Sequence, residues 1–200
     1  MKGQSQVIVG VLLVLIMIIL VGVTYFWGIP LIQKQKDVVT VSNTERFLKD
    51  LNDKIQDVAK NGGTRKITVD IPGELILDDK KDMFILTFKT TGDIIATNTD
   101  IYLVGDERKE VPIGDEPGVI LVRSRDTGKK YNITERLYYR NLTGGTSGGK
   151  QNKYKIDLIG LGKSTIGGNN HEITIREFKS EIIETPTEKI YVTKVYVRME

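Results

Sequence analysis

The chain has 200 residues, 40% hydrophobic and 28% charged, which is enough for one folded domain plus an anchor and too little for two large domains. Lys and Arg number 29 against 26 Asp and Glu, so the net charge of +3 is too balanced for an electrostatic nucleic-acid binder. There is no cysteine, which excludes disulfides, thiolate chemistry and Cys-based metal sites.

The apolar residues are concentrated at the front. No charged side chain occurs from Gly3 to Gln33. A hydrocarbon core of roughly 30 Å needs about 20 apolar helical residues, and Val7 to Trp27 supplies them. A secretory signal would have an apolar region of about 7–15 residues and then a small-x-small cleavage site. Pro30-Leu31-Ile32-Gln33-Lys34 follows instead, so the segment reads as a lasting transmembrane helix. Tyr25-Phe26-Trp27 fits an aromatic belt at the membrane surface.

A helical pattern continues beyond Lys34. Val41, Thr44, Leu48, Leu51, Ile55 and Val58 recur at steps of three and four, forming one apolar stripe. Glu45–Lys49 and Asp50–Lys54 are acid-first pairs four apart. Ser42, Asn43 and Thr44 are capping types, so a break near Val39–Asn43 followed by a restarted helix is expected to be possible there. Asn61-Gly62-Gly63 ends the helix. Unbroken, it would be a rod of roughly 85 Å, with Pro30 expected to kink it at the membrane exit.

From Thr64 the period changes to two. Ile67, Val69 and Ile71 alternate with polar residues, and Pro72-Gly73 predicts a turn. Strands are predicted at Met83–Lys89, Ile94–Ala96, Ile101–Val104, Val119–Arg123, Tyr131–Ile133, Leu137–Tyr139, Tyr154–Leu161, Glu172–Phe178 and Lys189–Arg198. Turn signals at Thr91-Gly92-Asp93, Pro117-Gly118, Asp126-Thr127-Gly128 and Gly167 to Asn170 separate them, and Thr143 to Lys150 reads as a mobile loop. The expected fold class is α+β: a long N-terminal transmembrane and amphipathic helix followed by an antiparallel β-sandwich-like domain.

Met1-Lys2-Gly3-Gln4-Ser5-Gln6-Val7-Ile8-Val9-Gly10 places one basic residue, a glycine and a few uncharged polar residues before the apolar helix. This resembles the class III signal peptide of archaeal type IV pilin-like proteins. The membrane exit, Tyr25 to Ile32 with Lys34 following, and the layout of long helix then β-domain resemble the same family. The likeness is close over about the first 35 residues and architectural beyond them. It implies cleavage between Gly3 and Gln4 on the cytoplasmic side, with Lys2, Gly3 and Gln4 as the processing residues. The organisation it implies is a leader at 1–3, a transmembrane helix at 4–33, an amphipathic stalk at 34–63 and an extracytoplasmic β-domain at 64–200. The glutamate that many bacterial pilins carry at mature position five is Ile8 here, which removes helix pairing through that acid.

The implied function is that of a cell-surface filament subunit, assembled by packing of the N-terminal helix. Its implied partners are the lipid membrane and either copies of itself in a helical filament or related pilin-like subunits, with no nucleic acid, small-molecule substrate or cofactor. The alternative is a membrane-anchored β-domain that never polymerises and binds the surface layer or a filament. Gly10, Gly22 and Gly28 would let helices approach closely, though glycine is also simply common in membrane helices.

Other motifs weigh little. Asn132-Ile133-Thr134 and Asn141-Leu142-Thr143 match the N-glycosylation acceptor pattern and make Asn132 and Asn141 candidates if the domain is outside. Gly162-Lys163-Ser164-Thr165 looks like the tail of a phosphate loop, but Asp157 occupies the position of its first glycine. His171 beside Glu172 is a lone histidine, short of a zinc set, and Asp78 to Asp82 lacks calcium-loop spacing. With one histidine and no cysteine, no catalytic residue is assigned and an enzyme is not expected.

Overall fold

In the computed structural model the backbone is described for residues 2–200 and side chains for residues 8–200. One helix, α1 (Lys2–Asn61, 60 residues), passes without a break through both Pro30 and Val39–Asn43. At about 1.5 Å per residue it is roughly 90 Å long. The capping residues near Thr44 do not restart it. Thr44 Oγ1 lies 2.8 Å from the Val41 carbonyl, the back-bonding that lets a hydroxyl sit inside a helix. The helix stops where expected: Gly62 and Gly63 have φ of 72° and 87°, and the Gly62 amide donates to the Val58 carbonyl at 2.9 Å.

Ten strands follow: β1 (Thr64–Asp78), β2 (Met83–Thr90), β3 (Asp100–Val104), β4 (Glu110–Pro112), β5 (Gly118–Asp126), β6 (Tyr131–Tyr139), β7 (Asn141–Ser147), β8 (Lys150–Gly162), β9 (Thr165–Glu184) and β10 (Glu188–Met199). They form a single sheet in the order β3-β5-β6-β2-β1-β9-β10-β8-β7-β4. Pairing is antiparallel except for β10 with β8 and β4 with β7. The α+β class is therefore present, and the layer facing this mostly antiparallel sheet is the helix itself.

Several local expectations need correction. Pro72-Gly73 is not a turn: β1 runs through it with a bulge, the register against β9 shifting between Ile71 and Glu74. Proline is tolerated there because the bulge asks no ladder hydrogen bond of it. Gly73 has φ 98°, and a Cβ on it would lie 2.2 Å from the Thr87 carbonyl oxygen, so only glycine fits. Gly167 to Asn170 is likewise inside β9, beside a second shift opposite Val69 and Asp70. The supposed loop after Thr143 is largely β7, with the turn confined to Gly148-Gly149 at φ 60° and 79°. The two short strands predicted around Glu135 are one, β6. Ile94–Ala96 is not a strand, and β4 had no signal because three residues show no period.

The core lies between α1 and one face of the sheet. All six stripe residues, Val41, Thr44, Leu48, Leu51, Ile55 and Val58, are buried, and Phe47 joins them. They share one cluster with Val69, Leu75, Phe84, Leu86, Ile120, Ile133, Leu137, Ile173, Ile175 and Val195. Each such side chain contributes about 1.5–3 kcal/mol. Residues 34–63 therefore do not stand apart as a stalk; from Asp37 onward they are the inner layer of the β-domain.

Candidate functional surface and the helix–sheet junction

The first half of α1 offers only apolar side chains to its surroundings. Described residues from Ile8 to Ile32 are exposed around the whole helix, including Phe26 and Trp27 at 82% each. Thr24 turns its hydroxyl inward: Oγ1 donates to the Leu20 carbonyl at 2.8 Å. A helix that is hydrophobic all round needs lipid or protein around it. The apolar surface far exceeds the few hundred Å² that monomeric soluble proteins expose. Among the described residues one helix is long and apolar enough to cross a membrane.

Where the apolar segment ends, a lock joins helix to sheet. Asp37, 5% exposed, projects from α1 into the loop after β2. Its Oδ2 accepts from the Thr91 amide (2.9 Å), the Gly92 amide (2.8 Å) and the Thr91 hydroxyl (2.6 Å), and its Oδ1 from Gln33 Nε2 (3.3 Å). Burial alone would push this carboxyl up. The Thr91 hydroxyl, the two amides and Gln33 outweigh it and hold the group below its ordinary 3.8. The lock stabilises the fold above that value and is lost as pH falls through the lower folded one. Asp37→Ala is expected to cost roughly 1–3 kcal/mol at neutral pH, by leaving buried donors unmatched. In thermal melts the deficit should shrink below pH 3.8, as wild-type Asp37 takes up a proton; a deficit constant from pH 7 to pH 3 would contradict the role.

A polar row accompanies the apolar stripe. Asn52 and Gln56 are buried and both donate to Glu116 Oε1, Asn52 at 3.2 Å, while the Gly118 amide donates to the same oxygen at 3.0 Å. Arg140, with its side chain 2% exposed, pairs with Asp106 at 2.7 Å and donates to the Glu116 carbonyl at 2.5 Å. None of this was legible beforehand. Asn52 and Gln56, four apart, sit beside the stripe, which is the only signal that could have suggested a second, polar contact line.

The residues singled out earlier are scattered. Lys2, Gly3 and Gln4 lie in the first turn of α1, but their side chains are outside the described residues. Asn132 is the second residue of β6, opposite Lys89 and Arg125, with its Oδ1 buried and unpartnered. Asn141 opens β7, and Thr143 of its triplet donates to the Val111 carbonyl at 3.2 Å. Both nitrogens of His171 face carbonyl oxygens, of Glu200 at 2.8 Å and of Gly167 at 3.0 Å, so it ties the bulged start of β9 to the end of β10. Asp82 is engaged by Lys155 at 2.7 Å and by the Leu158 amide at 3.0 Å. Gly162 to Thr165 joins two strands and opens no helix, so it has no helix N-terminus to offer a phosphate. Among the described residues no three His, Cys, Asp or Glu side chains gather in a metal-holding group.

Comparison with known proteins adds one likeness. The sequence model of DUF7289, a family of unknown function, matches residues 2–96. That span is α1, the β1–β2 hairpin and the loop after it, so it includes both partners of the Asp37 lock. No curated protein and no solved structure matches.

Proposed function

We propose that the chain is a pilin-like subunit of a cell-surface filament, anchored in the membrane by α1 before assembly and held in the filament by packing of that helix against its copies. One observation carries the reading: a helix apolar on every side from Ile8 to Ile32 continues without a joint into the core of a folded head. A simple anchor needs only the first property. Rigid continuity with the head gives each subunit a fixed angle between its packing helix and its exposed sheet, which a regular assembly requires. Leaving the bilayer would expose the apolar surface to water at about 25 cal/mol per Å², so the helix must be covered by other helices as it exits. Lys2, Gly3 and Gln4 would be the processing residues, with the β-domain outside the cell and Asn132 and Asn141 as the candidate glycosylation acceptors.

Two measurements test this. Mass spectrometry of the native protein should find Gln4 at the N-terminus; an intact Met1 or Lys2 removes the pilin-like processing from the proposal. Electron microscopy and peptide mapping of sheared surface filaments should then find this chain in them.

The second reading is an anchored β-domain that never polymerises and binds the surface layer or a filament. Exposed Phe178, Ile182 and Ile183 on β9 favour it, since they leave large apolar side chains of the β-domain itself open to a partner. Recovery of the mature chain only from membranes would support it.

A further inference from the structure

The seam between α1 and β6 contains a carboxyl where an aliphatic side chain would be expected. Glu135 is fully buried, on the face of β6 that also presents Ile133 and Leu137. Its cross-strand neighbours are Leu86 of β2 and Val122 of β5. On that face β2 adds Phe84 and Phe88, and β5 adds Ile120 and Ser124, so neither strand brings a titratable or charged group to it. From above, α1 brings Thr44 and the acidic Glu45. No cation is paired with Glu135 among the described residues.

The hydrogen bonds define the state of this carboxyl. Thr44 Oγ1 lies 2.8 Å from the Val41 carbonyl and 2.9 Å from Glu135 Oε1. Two acceptors face one hydroxyl, which has a single proton. Both contacts are satisfied only if Thr44 donates to Val41 and Glu135, protonated, donates to Thr44. The other carboxyl oxygen, Oε2, is buried without a partner, a placement that a neutral acid tolerates far better than a carboxylate. Burial accordingly lifts this group to about 8 from an ordinary 4.5; the chance for an ionised carboxylate to accept from the Thr44 hydroxyl instead, at the expense of Val41, offsets part of that lift, and Glu45 adds to it.

We propose that Glu135 is a pH-operated latch on the helix–sheet seam: its protonated carboxyl ties β6 to α1 through Thr44, and loss of that proton loosens α1 from this part of the sheet. The ionised form would face Leu86, Val122 and Leu137 with no countercharge, so water must enter the seam or the side chain must leave it. Either outcome acts on the helix that continues into the apolar segment, and so on the angle at which the head is held. The latch does not depend on the filament reading, because the seam exists in a single chain.

The sign follows from linkage. The folded carboxyl keeps its proton to about 8, while the unfolded one gives it up near 4.5. The Glu135 contribution is therefore intact below 4.5, declines between those values and is gone above about 8. The test compares thermal melts of the detergent-solubilised full chain with those of Glu135→Gln from pH 4.5 to 9. A glutamine amide can make the same donation to Thr44 and cannot ionise. The two melting temperatures should diverge as pH rises, with wild type lower by about 10 °C at pH 9. Infrared difference spectra should also show a protonated-carboxyl band in wild type at pH 7 that vanishes by pH 9.5 and is missing in the variant. That second readout needs only a spectral match, so a poorly folded variant does not leave the question open: loss of the wild-type band with pH is enough. Parallel melting profiles together with no protonated carboxyl at pH 7 would overturn the latch.

Discussion

A chain beginning at Lys34 is expected to be soluble without detergent and to melt as the full-length head does, whereas a chain beginning at Thr64 is expected not to fold. The first cut removes the exposed apolar segment and keeps Asp37, Thr44 and the buried stripe from Val41 to Val58. The second removes one whole layer of a two-layer domain. It would leave the inner face of the sheet open to water, including Val69, Leu75, Leu86, Ile120, Ile133, Leu137, Ile173, Ile175 and Val195. A single sheet with one bare apolar face has no core to bury. Loss of α1 forfeits about 1.5–3 kcal/mol for each of six large side chains, comparable with the 5–15 kcal/mol by which a domain of this size is stable. Circular dichroism, sedimentation and dye binding decide the matter: a cooperative melt and a monomeric species for the chain from Thr64 would show that the helix is an appendage and that the core assigned to it is wrong.

Within the full chain the corresponding single change is Leu51→Ala. Leu51 is completely buried at the middle of the stripe, between Leu48 and Ile55. Truncation removes transferred surface and leaves a cavity that a sheet on one side and a helix on the other cannot both close, at a cost of about 2–5 kcal/mol. For a chain of this length that lowers the melting temperature by roughly 5–15 °C. Val39→Ala, on the same helix but 57% exposed, should change it by no more than about 0.5 kcal/mol. Equal effects at the two positions would mean that the helix does not pack on the sheet through the 41–58 stripe. The pair also separates folding from assembly. A defect of Val39→Ala in filament or membrane association, with melting unchanged, would place the exposed side of the helix in a contact between subunits.

Patterns with a long period and a strong chemical contrast were legible in the residues themselves. The apolar run to Ile32 dictates its own environment, because no tertiary contact can make so many uncharged side chains tolerate water. The stripe from Val41 to Val58 identified the buried side of α1 residue by residue, since a helix has one face toward a core and the spacing marks it. Change to alternation at Ile67 marked the entry into the sheet for the same reason. Three things were decided only in three dimensions. Pro72-Gly73 and Gly167 to Asn170 carry turn chemistry, yet the pairing of β1 with β9 carries both through as bulges, because ladder pairing outweighs a local turn preference. Ser42 to Thr44 looked like a helix start, but the sheet beneath supplies Glu135 as a partner for Thr44, so the helix has no reason to end there. Asp37 and Glu135 are the clearest cases. In the sequence each is one more acid among polar neighbours, and which of them is an anion and which an uncharged acid depends on partners 54 and 91 positions away. Periodicity reports which face of an element is buried; only the packed structure reports what meets that face, and the charge of a buried carboxyl is a property of the meeting.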